Sequence, residues 1–460
     1  MSETLFSASW YRVATLKPRL RSHAQIHRHH YRGQPWYILQ DHASQRYHRF
    51  SPAAYFLIGM MDGQRTVQEL WESASARLGD DAPTQDEVIQ LLTQLHASDV
   101  LQCDVPPDTT ELLLRYDRQR RHRWQSQLLS PLFWRFPLLD PERFLQRYLP
   151  FVRPFFGPVG ALLWCTVVGM GLLLAVVYWH DLSKNVVDRV LAPQNLLLLW
   201  LVFPVLKTLH EFGHAFATKA YGGEVHEMGV MLMVLLPLPY VDASAASAFQ
   251  SKWQRIVVGA AGMIVELFLA SLALFVWLNV EPGTVRVVAY NVIFIAGIST
   301  ILFNGNPLLR YDGYYIFADL LELPNLRARA QAYMTYLGER YLCGRQEATS
   351  QATSTSERVW FVCFSLASFV YRFFVLVAIT LFVAGKFFFI GVAFALASMV
   401  AWSLVPLGKL LLHVSTNPHL RRVRRRSVGV TLALVALLVG GIGWVPMPFR
   451  SRAQGVIWIP

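Results

Sequence analysis

Two histidines and a glutamate stand in H-E-x-x-H spacing inside the apolar stretch "LVFPVLKTLHEFGHAFATKAYGGEVHE". They are His210, Glu211 and His214. Ionisable side chains at membrane depth cost about 2.5–3.5 kcal/mol each on insertion scales, so they are rare unless they pair, bind a ligand or react. On a helix the two imidazoles project from one face a turn apart and can bind a single Zn²⁺. Glu211 lies beside that face, where a carboxylate can take a proton from a metal-bound water.

A catalytic zinc ion needs three protein ligands and one open position, so a third ligand is expected elsewhere in the chain. The best candidate is Asp312, in the segment "FNGNPLLRYDGYYIFADLLELPN" about a hundred residues later. Pro307 cannot continue the helical hydrogen bonds, and Gly313 frees the backbone just after the carboxylate. This break lets the aspartate point back toward the helices, and we expect His210, His214 and Asp312 to bind one zinc ion.

The composition is that of an integral membrane protein. The chain of 460 residues is 54% hydrophobic and only 16% charged, and a helical span needs about 20 apolar residues. Seven stretches qualify: 157–179, 195–220, 255–280, 285–305, 359–384, 387–412 and 427–447. The net charge of +12 comes from arginine-rich segments that flank these stretches. Lipid headgroups are therefore the expected partner of the basic residues, and nucleic acid is not.

The arginines also predict the orientation. Most of them lie in the N-terminal region, in 306–358 and in 413–426, which the positive-inside rule places in the cytoplasm. We therefore expect a multi-pass protein of the bacterial inner membrane, with its N-terminus cytoplasmic and its C-terminus periplasmic.

The segments outside the spans divide into three parts. Residues 1–125 mix a strand-like aromatic run with capped amphipathic helices, a pattern typical of a small cytoplasmic α+β domain. Residues 126–156 interleave aromatic residues with arginines, which is typical of amphipathic helices in the membrane interface. The membrane domain then covers 157–449, and 450–460 is strand-like.

The motif H-E-x-x-H in one span together with "NPLLRYDG" at the end of a later one resembles the site-two protease family of intramembrane zinc metalloproteases. The resemblance covers about 195–325 and implies zinc ligands at His210, His214 and Asp312, a general base at Glu211 and a supporting polar role for Asn306. The segment "GGEVHEMGVMLMVLLPLPYVDAS" resembles the membrane-dipping strands of that family, which pair with an unwound substrate. The N-terminal part resembles the winged-helix peptide-recognition domain of pathways that process ribosomally made peptides. The tail "FRSRAQGVIWIP" resembles the beginning of a periplasmic adaptor (membrane-fusion) protein of bacterial export systems.

One residue departs from the family pattern. Glu266, in "VGAAGMIVELFLAS", stands where the family has a small residue or asparagine. Its carboxyl group is either functional near the zinc or a protonated, hydrogen-bonded packing group, and we favour the second.

The sequence thus predicts a mainly α membrane protein with about seven spans and a membrane-dipping strand segment, preceded by the winged-helix-like domain. The expected function is hydrolysis of a peptide bond in or near the membrane, with peptide or protein substrates and a link to export machinery. Three alternatives stay open. His210, Glu211 and His214 can be a satisfied polar cluster. The domain can keep its metal yet be a proteolytically silent scaffold that passes a peptide to an adaptor. The N-terminal domain can also merely sense a cytoplasmic signal. The sequence identifies no substrate-binding residue.

Overall fold

The computed structural model describes residues 6–103 and 133–401, with short gaps at 8, 32–33, 42–45, 99, 191, 234–235, 346–349, 351, 353 and 387, and short runs between 405 and 440. The chain forms two compact units, 1–324 and 325–460. The predicted span 427–447 lies largely outside the described residues, and the predicted adaptor-like segment 450–460 lies wholly outside them.

The first unit begins with a small α+β domain, as the sequence predicts. Its elements are β1 (Arg19–Leu20), β2 (Ala24–Tyr31), β3 (Gln34–Asp41), β4 (Arg46–Phe50), α1 (Pro52–Gly59), α2 (Val67–Leu78), α3 (Gln85–Ala97) and β5 (Leu101–Gln102). Strands β2, β3 and β4 form an antiparallel sheet in that order, and β1 pairs with β5. Thr84 and Glu87 form a capping box that begins α3. Leu39, Leu70 and Leu95 are fully buried in one core that joins the sheet to the helices.

This domain contacts the membrane domain through β2. His29 is 1% exposed, and its ring lies against the backbone of Ala248 and near Arg255. Burial, helped by the charge of Arg255, lowers the pKa of His29 to about 4. The residue is therefore neutral at physiological pH, as suits an imidazole packed between two parts of the chain.

The segment that leads to the membrane is partly a strand. The composition of 126–156 is that of interfacial helices, but in the part that the structure describes Phe133–Leu139 forms β6, Glu142–Val152 forms the interfacial helix α4 and Arg153–Phe156 forms a 3-10 helix. The run "FWRFPLL" contains Pro137, which disfavours a helix, and its backbone pairs with another strand of the first unit. Glu142 holds α4 in place because its carboxylate accepts a hydrogen bond from Val225 N at 3.0 Å and contacts Lys219.

Four apolar helical segments follow in the first unit. They are α5 (Pro158–Val177), α8 (Pro193–Ala220), α9 (Lys252–Asn279) and a continuous pair made of α10 (Thr284–Ile293) and a π-helix (Phe294–Asn304), with the short helices α6 (Trp179–Ser183) and α7 (Val186–Val190) between the first two. Gly213 of α8 packs so closely on α9 that an added Cβ would lie 2.9 Å from the carbonyl oxygen of Ala261. Small residues allow this approach, as is usual between membrane helices.

Between α8 and α9 lies the strand segment that the sequence predicts. Strands β7 (Met228–Met233) and β8 (Leu236–Val241) form a hairpin, and β6 pairs with the other edge of β7, so the sheet order is β6-β7-β8. The short 3-10 helix Ser244–Ala248 then leads to α9. After the π-helix the chain turns into α11 (Asp312–Leu320), which packs on α9 through Arg255 and Asp319 at 2.7 Å.

The second unit contains α12 (Leu326–Leu337), a short π-helix (Gly338–Leu342), α13 (Thr355–Lys386) and α14 (Phe388–Met399). An Arg329–Glu357 ion pair at 2.9 Å joins α12 to α13. In the described part of the chain, five helical segments are long and apolar enough to cross a membrane: Pro158–Val177, Pro193–Ala220, Lys252–Asn279, Thr284–Asn304 and Thr355–Gly385. They coincide with the first five predicted spans. The sixth, 387–412, is described mainly as α14, so the total number of spans stays a prediction.

Candidate metal centre

The two histidines and the aspartate converge from different elements. His210 and His214 lie on the C-terminal half of α8, and Asp312 is the first residue of α11. The Nε2 atoms of the histidines are 3.1 Å apart, and Asp312 Oδ2 lies 3.1 Å from His210 Nε2 and 3.5 Å from His214 Nε2. Among the described residues, these three form the one group of three or more His, Cys, Asp or Glu side chains whose ligand atoms meet in this way. We call them the His/Asp cluster.

The donor atoms fit a zinc ion. Zinc bonds of about 2.0–2.2 Å in tetrahedral geometry put neighbouring ligand atoms about 3.3–3.5 Å apart, close to the distances in the His/Asp cluster. His214 Nδ1 lies 2.7 Å from the carbonyl oxygen of Val258, which can only accept, so that nitrogen carries the proton and Nε2 keeps its lone pair. A lone pair facing a second imidazole nitrogen and a carboxylate oxygen is the arrangement that a shared cation stabilises.

Glu266 supports the other histidine. Its carboxylate is fully buried on α9, and Oε1 lies 3.3 Å from His210 Nδ1 and 2.6 Å from Lys207 Nζ. Thr300, on the π-helix, donates its hydroxyl to Oε2. The carboxylate therefore faces an ammonium group, a hydroxyl donor and an imidazole, and it connects α8, α9 and the π-helix.

Two glycines allow the close approach of these elements. A Cβ atom at Gly262 of α9 would lie 2.4 Å from both Cε1 and Nε2 of His210, so the imidazole rests directly on the backbone of α9. At Gly313 an added Cβ would lie 2.5 Å from the carbonyl carbon of Gly305. This second contact folds the loop after the π-helix back on itself and holds Asp312 against α8.

Glu211 lies between the His/Asp cluster and the sheet. Its Oε2 accepts a hydrogen bond from the backbone N–H of Val241, the last residue of β8, at 3.1 Å. Its Oε1 accepts no hydrogen bond from the residues that the structure describes. One oxygen is thus fixed by the sheet, and the other is open to a group beside the His/Asp cluster.

Asn306 has a local contact. Its Oδ1 accepts a hydrogen bond from Leu308 N at 2.8 Å, which closes a turn across Pro307. The turn comes just before the loop that carries Asp312, so Asn306 helps to shape that loop.

Sequence reasoning missed four residues of this centre. Lys207 carried a signal, because a lysine one helical turn before His210 in an apolar span needs a partner. Gly262, Thr300 and the carbonyl group of Val258 carried none, since small and hydroxyl side chains and backbone groups are common throughout membrane helices.

Two family models match parts of the chain. Residues 198–407 match the family model described as peptidase family M50, and residues 37–101 match the one described as coenzyme PQQ synthesis protein D (PqqD). No curated protein and no solved structure gave a match. The M50 match covers the residues of the His/Asp cluster together with Glu211. The larger part of the membrane helices is thus similar to the M50 family of membrane-embedded metalloproteases, and the N-terminal α+β domain is similar to PqqD.

Proposed function

We propose that this protein is a zinc-dependent intramembrane protease that hydrolyses a peptide bond in or near the membrane. The observation that carries the proposal is the convergence of His210, His214 and Asp312 from two elements about a hundred residues apart in sequence. A satisfied polar cluster does not require three ligand atoms to face one point. The M50 match supports the reaction class independently of that geometry.

Each residue of the centre has a distinct role in this proposal. The His/Asp cluster would hold a zinc ion, which would supply Lewis-acid activation of water and of the substrate carbonyl. Glu211 is the general base, since Val241 fixes one of its oxygens and leaves the other to accept a proton from the water that attacks the peptide carbonyl carbon. Glu211 returns that proton to the amine nitrogen when the C–N bond breaks. Asn306 shapes the loop that positions Asp312.

Glu266 is a positioning residue for His210. Its Oε1 lies 3.3 Å from His210 Nδ1, so the carboxylate would hold the proton on Nδ1 and leave the lone pair of Nε2 for an ion. The contact with Lys207 at 2.6 Å favours an ionised carboxylate over the protonated packing group that we favour from sequence. The two histidines thus use different second partners, a backbone carbonyl for His214 and a carboxylate for His210.

The free edge of β8 is the proposed binding site for substrate. The backbone N–H of Asp242 donates to the carbonyl oxygen of Glu227 across the hairpin. The N–H of the preceding residue, Val241, points the other way and donates to Glu211. The backbone polar groups of every second residue of β8 therefore face away from β7. Pro237 and Pro239 share the parity of Val241 and have no N–H group. The edge therefore offers carbonyl groups at these two positions and no free N–H.

An extended substrate would bind this edge through its own N–H groups. Because the edge has no donor to give, the carbonyl groups of the substrate that face it stay unpaired. A carbonyl group without a hydrogen bond to the sheet is available for attack, which suits a strand held next to a hydrolytic centre.

We expect Glu211→Gln to lower the rate of peptide cleavage by about 10²- to 10⁴-fold while the protein keeps its zinc. The amide preserves the shape of the side chain and removes the base. Cleavage is measured with purified protein in lipid vesicles and metal content by elemental analysis. Glu227→Gln is the matched control, because Glu227 bonds to Tyr240 on the sheet and not to the His/Asp cluster. Unchanged processing or export in Glu211→Gln would favour the scaffold alternative.

The same inactive variant tests the substrate edge. A photo-crosslinking residue at Pro237 in the Glu211→Gln background should capture uncleaved substrate, and one at Trp134 on β6 should not. Equal capture at both edges of the sheet would contradict binding at β8.

The proposed setting is the bacterial inner membrane with an N-terminal cytoplasmic domain, a periplasmic C-terminus and a link to peptide export. The contact of His29 with the chain near Ala248 supports a role of the N-terminal domain in bringing a peptide to the membrane. The resemblance of 450–460 to an adaptor protein stays a prediction.

Cysteine labelling in a background without the four native cysteines tests the orientation. Probes at Ser183 and Gly283 should react from outside the cell, whereas a probe at Ser350 should react only after permeabilisation. The reason is that the arginine-rich 306–358 segment should stay in the cytoplasm. Labelling of Ser350 in intact cells would contradict the orientation.

A further inference from the structure

A pocket lies at the opposite end of the membrane helices from the His/Asp cluster. It has a volume of about 520 Å³ and opens between the N-terminal ends of α8 and α10 and the C-terminal end of α9. Its wall includes Arg189, Asn195, Trp277, Arg286 and Tyr290. Ligand pockets typically span about 300–1,000 Å³, so this volume is sufficient for a small amphiphilic group.

The two arginines of the pocket are held by aromatic rings. The guanidinium of Arg286 lies 4.8 Å from the ring centre of Trp277, and that of Arg189 lies 5.5 Å from the ring centre of Tyr290. The two rings are themselves 6.4 Å apart. Stacking orients a guanidinium and leaves its N–H donors directed outward. Both guanidinium groups thus lie over one pair of neighbouring aromatic rings.

Neither guanidinium has an acidic partner within the described residues. Arg189 Nη1 donates to the carbonyl oxygen of Asp181 at 3.1 Å, which uses a backbone acceptor and leaves the positive charge uncompensated. Arg286 has no ion pair with any described carboxylate. The pocket therefore has two positive charges that an anion can neutralise.

The neutral polar groups around the pocket already have hydrogen-bond partners. Asn195 and Asn291 exchange side-chain hydrogen bonds at 3.0 and 2.7 Å, and Asn195 also donates to the carbonyl oxygen of Arg189 at 3.1 Å. Tyr290 donates its hydroxyl to Leu182 O at 2.8 Å. These bonds fix the segment that carries Arg189 to α8 and α10, so the pocket is built before a ligand arrives.

We infer that this pocket binds the headgroup of an anionic phospholipid. The two guanidinium groups bind the phosphate, since guanidinium donors match phosphate oxygens. The apolar wall, which includes Leu198 and Val287, receives the upper part of an acyl chain. The position at the ends of spanning helices favours a lipid over a free anion, because the pocket meets the membrane where headgroups lie. This site is separate from the proposed protease centre and does not depend on its activity.

The test compares lipid retention by purified full-length protein in native mass spectrometry. Phosphatidylglycerol is offered against phosphatidylcholine with the same acyl chains, and inorganic phosphate is offered alone in a third arm. Wild type should retain phosphatidylglycerol in preference to phosphatidylcholine. Arg189→Gln and Arg286→Gln should each weaken retention about fivefold, and the double variant about 25-fold.

Arg65→Gln combined with Arg77→Gln is the charge-matched control, because these exposed arginines lie just before and on α2 of the N-terminal domain, outside the membrane helices and the interfacial helix. This control should retain phosphatidylglycerol as wild type does. Equal loss in the control would mean that total charge and not the pocket binds the lipid, and would overturn the inference. Equal retention of both lipids by wild type, or binding of inorganic phosphate alone as tight as that of phosphatidylglycerol, would also overturn it. Thermal unfolding of each variant shows that a loss of lipid does not come from a loss of fold.

Discussion

Replacing His210 or Asp312 by alanine is expected to reduce bound zinc from about one ion per chain to a trace. A catalytic zinc site has three protein ligands, and the two ligands that remain hold the ion poorly. The two positions come from α8 and α11, so loss at both shows that the ion bridges these elements. The measurement is elemental analysis of protein purified without chelators. Full zinc occupancy in both variants would contradict the assignment of the metal centre.

Glu266→Gln separates a ligand from a positioning residue in the same experiment. Loss of a partner that orients a metal-binding histidine typically lowers metal affinity about 10- to 100-fold without removing the site. We therefore expect zinc to remain at high metal concentration and to be lost to a competing chelator sooner than in wild type. The spectrum of the cobalt-substituted protein should also shift, since the orientation of His210 changes. A merely structural glutamate would alter unfolding and leave the metal affinity and the spectrum as in wild type.

Gly262→Ala is expected to reduce both the stability of the membrane domain and its zinc content. The added Cβ would lie 2.4 Å from the ring of His210, so the imidazole must leave its position or α9 must move. Overpacking of this kind costs about 1–3 kcal/mol, and here the displaced group is a metal ligand. We expect a lower unfolding temperature together with a loss of zinc. Both are measured on the detergent-purified protein.

The matched control is Gly169→Ala on α5. There an added Cβ meets no atom within 4 Å, and alanine is the better helix former by about 1 kcal/mol. This variant should bind zinc as wild type does and unfold at an equal or slightly higher temperature. A similar loss of zinc in both variants would show that the effect comes from any change in the membrane helices and not from the contact with His210.

Local patterns in the sequence were sufficient to predict the candidate histidine ligands, the apolar spans and a capped helix. H-E-x-x-H spacing puts two imidazoles on one face of a helix wherever that helix lies, and the apolar length of each span predicts a membrane helix without knowledge of its neighbours. The capped helix that begins after Thr84 follows from side-chain bonds to the adjacent backbone. These features depend on residues within a few positions of one another, so they could be predicted.

Predictions from local sequence failed where a contact with a residue distant in sequence decides the structure. The run "FWRFPLL" has the composition of an interfacial helix, yet it is the strand β6 because β7 offers it a paired edge. From sequence we favour a protonated packing group at Glu266, because the sequence does not show that three side chains reach its carboxylate. These side chains are Lys207, Thr300 and His210. In both cases the deciding contact joins separate elements.

The sequence by itself determined which residues can bind a metal ion and that their helices lie in a membrane, since both depend on side-chain chemistry and on local spacing. Only the tertiary structure decided that Asp312 meets His210 and His214 at one point, that Glu211 is fixed by Val241, and that Gly262 makes room for the imidazole. A metal centre requires its ligand atoms to converge within a few ångströms. That convergence is set by the packing of α8 on α9 and by the turn before α11, which no single stretch of sequence contains.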